Sequence, residues 1–146
     1  MQPKQILMPY LGSDADKDLL QAVCRLAQAW KAKLELVHVI EVPMALPVDA
    51  PDLPGTDAAN LILDQGEDAA ADAGVEVETE LLTARDAGHA IVEEAIAREA
   101  DLVFMEGRQR VRLGMLTLGR TADYVLKHAP CTVWISRAAL SHTAED

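Results

Sequence analysis

The chain has 146 residues, of which 50% are hydrophobic and 25% are charged, and this size and balance fit a single domain with its own core. Its formal net charge of −11 at pH 7 disfavours general binding to nucleic acid and to anionic membranes. No apolar run approaches the roughly 20 residues of a membrane span, and residues 2–5 lack the apolar core of a signal peptide, so we expect a cytoplasmic protein.

The chain begins with a short apolar run at residues 5–10, which predicts a buried strand. Ser13 follows as a helix-cap signal, and apolar side chains then recur at every third or fourth position over residues 14–31, which predicts an amphipathic helix. Residues 34–42 are dense in Leu, Val and Ile, as expected of a central parallel strand that is covered on both faces.

A proline-rich segment separates this strand from the next helix and predicts a long loop, with prolines at positions 43, 47, 51 and 54. Residues 56–73 are rich in alanine and predict a helix that stops at Gly74. Apolar and acidic residues alternate over residues 75–81, which predicts a strand near a sheet edge with one solvated face. Ten acids and no base lie between Asp49 and Glu80, and we interpret them as a solvated acidic surface.

The last third of the chain continues the alternation, with helices predicted at residues 86–100 and 119–128 and apolar strands at 102–105 and 131–136. Regular alternation of strand and helix indicates an α/β fold with right-handed crossovers: a sheet of five parallel strands sandwiched by four helices. Ligands bind such sheets beyond the carboxyl ends of the strands. The loops after Tyr10, Val42 and Met105 therefore form the candidate site.

Several stretches resemble the universal stress protein family. They are Ile6-Leu7-Met8-Pro9 with Gly12-Ser13, Leu36-Val37-His38-Val39-Ile40, Asp101-Leu102-Val103-Phe104-Met105, Leu118-Gly119, and Val125-Leu126-Lys127-His128-Ala129-Pro130-Cys131-Thr132-Val133. The resemblance covers about residues 5–137. It implies a domain at 1–137 followed by a flexible tail at 138–146, and a doubly wound, Rossmann-like sheet with the strand order 3-2-1-4-5. It also implies a homodimer and no catalytic chemistry in most members.

Many members of that family bind ATP through Gly-x-x-Gly and a later glycine that precedes Ser or Thr. Aligned without a gap, these four positions hold Glu106, Gln109, Gly119 and Arg120, and the family's acidic position on the ribose side holds Leu11. A carboxylate about 4 Å from a phosphate charge costs on the order of 4 kcal/mol at an effective dielectric constant of 20. We therefore expect that ordinary ATP binding is lost and that the protein has no cofactor.

An arginine run in the loop after Met105 supports an alternative, and it comprises Arg108, Arg110, Arg112 and Arg120. Guanidinium groups can bind phosphate where backbone amides no longer do, which would give an altered site for ATP, AMP or another anion. They can equally serve only to neutralise an acidic surface. The candidate ligand-binding residues under this alternative are Pro9, Val39, Met105, Gly107, Arg108, Arg110, Gly119, Arg120 and Thr121.

The last predicted strand is apolar and would lie at a sheet edge, where an uncovered strand promotes association. The resemblance implies that this strand meets its copy across a two-fold axis, with Val133, Trp134 and Ile135 at the interface. Stress adaptation would then proceed through contacts with another protein partner.

Catalytic and metal sites are not predicted. Ser13, His38 and nearby aspartates are residue types of a hydrolytic triad, but no Gly-x-Ser-x-Gly elbow surrounds the serine, which is better explained as a helix cap. The four histidines are not spaced as metal ligands usually are, for example four residues apart on one helix. A flavin-binding or electron-transfer domain is a third interpretation, since this topology hosts such functions, but a hydroxyl-rich phosphate loop is missing after the first strand.

Overall fold

The computed structural model describes residues 2–108, 110–112 and 115–139, with side chains described over 2–108 and 118–139. Gln109 and the predicted tail from residue 140 onward lie outside the described residues, and so do the side chains of Arg110 and Arg112.

Strands and helices alternate as predicted, with shifts of one to three residues at their ends. The strands are β1 Gln5–Pro9, β2 Lys33–Glu41, β3 Val77–Ala84, β4 Leu102–Glu106, β5 Arg110–Arg112, β6 Met115–Thr117 and β7 Thr132–Ser136. The helices are α1 Asp14–Trp30, α2 Thr56–Asp72, α3 Ala87–Ala97 and α4 Arg120–His128.

Five of these strands form one parallel sheet in the order β3-β2-β1-β4-β7, which confirms the predicted doubly wound order of 3-2-1-4-5. The chain adds β2 and β3 on one side of β1 and then returns to place β4 and β7 on the other side. The strand order therefore reverses between β1 and β4. In this class of sheet the crevice at that reversal is the usual ligand site.

The hairpin of β5 and β6 is the one element of the described chain that the sequence prediction missed. It is an antiparallel ribbon in which Arg110 pairs with Thr117 and Arg112 pairs with Met115, and it replaces part of the predicted loop. Three-residue strands are too short to show a period of two, so alternating Arg and Val carried no clear strand signal.

The core has two layers because helices cover both faces of the sheet. Ile6 and Met8 of β1 face the layer under α1 and α2, and Leu7 faces the layer under α3 and α4. All three side chains are fully buried, and burying each contributes roughly 1.5–3 kcal/mol.

The second strand, predicted to be apolar and covered on both faces, buries one acidic side chain. Glu35 of β2 is 0% exposed and lies on the face that α3 covers. Its neighbours include Glu78, Glu80 and Arg98. Glu78 and Glu80, at the end of the predicted acidic surface, are 56% and 41% exposed, and both form ion pairs with Arg98.

Candidate functional site

A cavity of about 760 Å³ opens at the carboxyl ends of β1, β2 and β4 and at the start of α4. We call it the cleft. It lies where the strand order reverses, and its volume is in the range of small-molecule sites. Seven of the nine candidate residues line it: Pro9, Val39, Met105, Arg108, Gly119, Arg120 and Thr121.

One wall of the cleft is apolar. Pro9, Val39 and Met105 come from the ends of three adjacent strands, and Ile91 of α3 and Leu118 before α4 extend the apolar surface. An apolar wall with a few polar groups around it is the usual environment for a planar base in a small-molecule site.

The start of α1 forms a second side of the cleft. Ser13 caps this helix, since its Oγ accepts a hydrogen bond from the backbone N–H of Asp16 at 3.0 Å. The same hydroxyl donates to Glu106 Oε2 at 3.1 Å. Asp16 Oδ2 accepts from the backbone N–H of Leu11 at 2.6 Å, so Leu11 contributes its backbone here while its side chain is exposed.

Asp16 is a cleft residue that the sequence prediction missed. Three aspartates occur near the start of α1, and only the fold decides that Asp16, 2% exposed, is the one that points inward. Burial raises the pKa of its carboxyl to about 6; the Leu11 N–H acts in the opposite direction, and the adjacent Glu106 carboxyl adds to the rise.

Glu106 lies at the end of β4 and lines the cleft, beside the start of α1. A helix start favours a negative charge, and here the protein supplies that charge itself, from Glu106 and Asp16. A ligand phosphate placed at this end of the cleft would meet two carboxyl groups rather than bare backbone amides.

The start of α4 has the opposite character. Gly119 precedes the helix with a φ of +97°, and a side chain added there would find no atom closer than the Arg108 carbonyl oxygen at 4.0 Å. No side chain among the described residues caps α4. The amides of its first turn therefore face an open part of the cleft, with the exposed side chains of Arg108 and Arg120 beside them.

Glu41 links two helix starts across the mouth of the cleft. Its Oε2 accepts from the backbone N–H of Ala87 at 2.9 Å and lies 3.5 Å from Nη2 of Arg120. Arg120 is 78% exposed, so this ion pair is weak and leaves the guanidinium available to a ligand anion.

Gly107 does not line the cleft, although the resemblance made it a candidate ligand-binding residue. A Cβ atom at this position would lie 2.6 Å from Cγ2 of Ile135 on β7. A larger residue after β4 would therefore collide with Ile135 unless that side chain shifted. Arg110 lies on β5, where its side chain is outside the described residues.

The residues considered for a hydrolytic triad are engaged elsewhere. His38 Nδ1 lies 2.9 Å from the carbonyl oxygen of Tyr10, and the Ser13 hydroxyl is held between Asp16 and Glu106. This arrangement fixes the loop after β1 and gives Ser13 a carboxyl partner instead of an imidazole base.

The residues predicted at a dimer interface lie on β7, an edge strand of the sheet. Trp134 points toward α1, where its ring makes edge-to-face contacts with Trp30 at 5.8 Å and Phe104 at 5.4 Å between ring centres. Val133 and Ile135 pack against the opposite layer of the core. Among the described residues, no helix is both long and apolar enough to cross a membrane.

Comparison with known proteins gives a consistent result. A model of the universal stress protein family matches residues 3–137. A universal stress protein of Thermus aquaticus is 35% identical over 142 residues, which cover 92% of this chain and 98% of the relative.

Two solved structures with the same fold contain nucleotides. The universal stress protein of Archaeoglobus fulgidus in complex with dAMP is 19% identical, with a TM-score of 0.72 and coverage of 92% of this chain and 98% of the other. A universal stress protein family protein of Arabidopsis thaliana with AMP bound is 18% identical, with a TM-score of 0.67 and coverage of 99% of this chain and 97% of the other.

Proposed function

The chain belongs to the universal stress protein family, and on that premise we propose that it is a non-catalytic stress-response protein whose cleft binds an adenosine monophosphate and does not bind ATP in the manner that the family motif implies. The observation that carries the proposal is the cleft itself: an apolar wall faces the start of α4, which no described side chain caps and which has Arg108 and Arg120 beside it.

The apolar wall suits a nucleobase, and the start of α4 suits a phosphate. Backbone amides of the first helical turn can donate to phosphate oxygens, and Arg108 and Arg120 can add charge-assisted hydrogen bonds. The bound dAMP and AMP of the two structural neighbours support this class of ligand.

The charges of the cleft favour a monophosphate over a triphosphate. Among the side chains that the structure describes, three carboxyl groups (Asp16, Glu41 and Glu106) and two arginines line the cleft. The negative charge of additional phosphates would therefore be poorly compensated there. A phosphate charge about 4 Å from Glu106 would be opposed by on the order of 4 kcal/mol at an effective dielectric constant of 20. The two arginines are enough for the roughly two negative charges of a monophosphate at neutral pH.

We also propose that the protein acts as a homodimer through β7 and signals by contacts with a protein partner. The outer edge of β7 is unpaired in the described sheet, and pairing with a second copy would cover it. Trp134 stabilises this strand from inside the subunit, so Val133, Trp134 and Ile135 present mainly their backbone edge to the partner.

Isothermal titration of the purified chain with AMP, ADP and ATP tests the nucleotide proposal. We expect AMP to bind more tightly than ATP, and the charge reversal Arg120→Glu to weaken AMP binding at least about ten-fold. Arg25→Glu is the matched control, because Arg25 is exposed on α1 and does not line the cleft. Low-micromolar binding of ATP that Arg120→Glu abolishes, or no binding of any of the three nucleotides, would contradict the proposal.

A further inference from the structure

A second group of charged side chains lies at the other end of the sheet, between α3 and strands β2 and β3. It consists of Glu35, Glu78, Glu80, Glu94 and Arg98, and we call it the glutamate cluster. Glu35 and the cleft residue Val39 are both on β2, about 13 Å apart at roughly 3.3 Å per residue, so the cluster is separate from the cleft.

Glu35 is the most unusual member of the cluster. Its side chain is 0% exposed, and neither of its carboxyl oxygens has a hydrogen-bond partner among the described residues. Arg98 Nη2 lies 3.2 Å from Oε2 of Glu35 and forms an ion pair with it. Buried carboxyl groups are normally satisfied by hydrogen bonds or by a metal ion. Arg98 is placed against Oε2 only, so Oε1, which has no hydrogen-bond partner among the described residues, needs an explanation.

Three carboxyl groups of the cluster converge. One oxygen from each of Glu35, Glu80 and Glu94 lies within 4.8 Å of the other two. Oxygen ligands bind Ca²⁺ at about 2.3–2.6 Å, so two ligands on opposite sides of the ion stand up to about 5 Å apart. The three oxygens can therefore surround an ion of this size with little movement.

The cluster also has an excess of negative charge. Arg98 contacts Glu78 at 2.8 Å, Glu94 at 3.2 Å and Glu80 at 3.6 Å, and it supplies one positive charge to four carboxyl groups. Its side chain is 35% exposed, which leaves it free to move toward Glu78 and solvent. Glu80 is 41% exposed, so an ion can enter from the surface.

We propose that Glu35, Glu80 and Glu94 bind a divalent cation of the calcium class, while Arg98 remains paired with Glu78. The ligand set contains only carboxyl oxygens, which suits hard cations and disfavours zinc or copper. Because the three residues lie on β2, β3 and α3, the ion would tie an edge strand and a helix to the sheet centre.

Calcium titration of the full chain after dialysis against EDTA tests the proposal. We expect Ca²⁺ at about 1 mM to raise the melting temperature by several degrees and to give a saturable heat of binding. Glu35→Gln keeps the shape of the side chain and should lose both effects. Glu67→Gln is the matched control, since Glu67 is exposed on α2 and outside the cluster.

Arg98→Gln gives a prediction of the opposite sign. Removing the competing positive charge should tighten Ca²⁺ binding several-fold, and Ca²⁺ should restore much of the melting temperature that this variant loses. No thermal shift in the unmodified chain at about 10 mM Ca²⁺, or an equal shift in Glu35→Gln, would overturn the proposal.

A measurement on the unmodified chain keeps the test independent of any variant. Paramagnetic Mn²⁺ accepts carboxylate ligands and should broaden the amide NMR signals of Glu35, Glu80 and Glu94 at the lowest added concentrations. Broadening that begins instead at Asp16 and Glu106 would place the cation in the cleft and refute the site in the cluster.

Discussion

The cleft and the glutamate cluster each bury a carboxyl group, but they satisfy it differently. Asp16 accepts a backbone hydrogen bond from Leu11, and its pKa is about 6. Glu35 accepts no hydrogen bond among the described residues, and burial together with the nearby Glu94 raises its pKa to about 8, against the lowering effect of Arg98. Similar burial thus gives the two carboxyl groups different pKa values, because a backbone amide hydrogen bond stabilises the Asp16 carboxylate, whereas at Glu35 the charge of Arg98 only partly offsets burial and the neighbouring glutamates.

The largest expected effect is on the pH dependence of stability at Glu35. Its pKa is higher in the folded chain than in the unfolded chain, so the folded state binds more protons between about pH 4.5 and pH 8, and stability falls as the pH rises through this range. Glu35→Gln has no such proton to lose. In EDTA, the free energy of unfolding of this variant should exceed that of the unmodified chain by on the order of 3 kcal/mol at pH 8. The two values should be equal near pH 4.5.

Denaturant unfolding across this pH range measures the difference. Glu76→Gln removes an exposed carboxylate next to β3 and should show no such pH-dependent difference. A Glu35→Gln variant that is equally destabilised at all pH values would mean that the contact with Arg98 outweighs the cost of burying the charge.

The second largest expected effect is on ATP affinity, through the Glu106 carboxyl group in the cleft. Glu106→Gly removes both the carboxyl group and the bulk at the first motif position, and ATP affinity should rise at least about ten-fold in titration calorimetry. Glu106→Gln keeps the bulk and removes only the charge, so comparing the two variants separates repulsion from steric exclusion. Unchanged ATP affinity in both would show that Glu106 does not determine which nucleotide binds.

The smallest effect is on stability at Asp16. Its raised pKa means that stability falls as the pH rises from about 4 to about 6, a lower and narrower range than for Glu35. Asp16→Asn should reduce this fall in the free energy of unfolding by about 1 kcal/mol. The variant should still fold, since its amide oxygen can accept the hydrogen bond from the Leu11 N–H. Asp18 is exposed in the same helical turn, so Asp18→Asn should leave the pH dependence of stability unchanged. Equal slopes in Asp16→Asn and the unmodified chain would contradict the assignment.

Much of the fold was predictable because strand and helix patterns repeat along the chain. Apolar runs and helix caps such as Ser13 are local signals, and they sufficed for nine elements, whereas the order of the sheet was predicted from the family resemblance. The short ribbon of β5 and β6 was missed because three residues carry no periodic signal. The apolar wall of the cleft was also predictable, since Pro9, Val39 and Met105 end three neighbouring strands.

The sequence by itself determined the class of fold, the family resemblance, and the presence of Glu106 and the arginines near the start of α4. Only the tertiary structure decided which acids are buried: Asp16 among the aspartates of α1, and Glu35 in a strand that is otherwise typical of a core. Local patterns report which face of an element is apolar. The charge state of a buried carboxyl group depends instead on donors and charges from distant parts of the chain, such as Arg98 beside Glu35 and Glu106 beside Asp16.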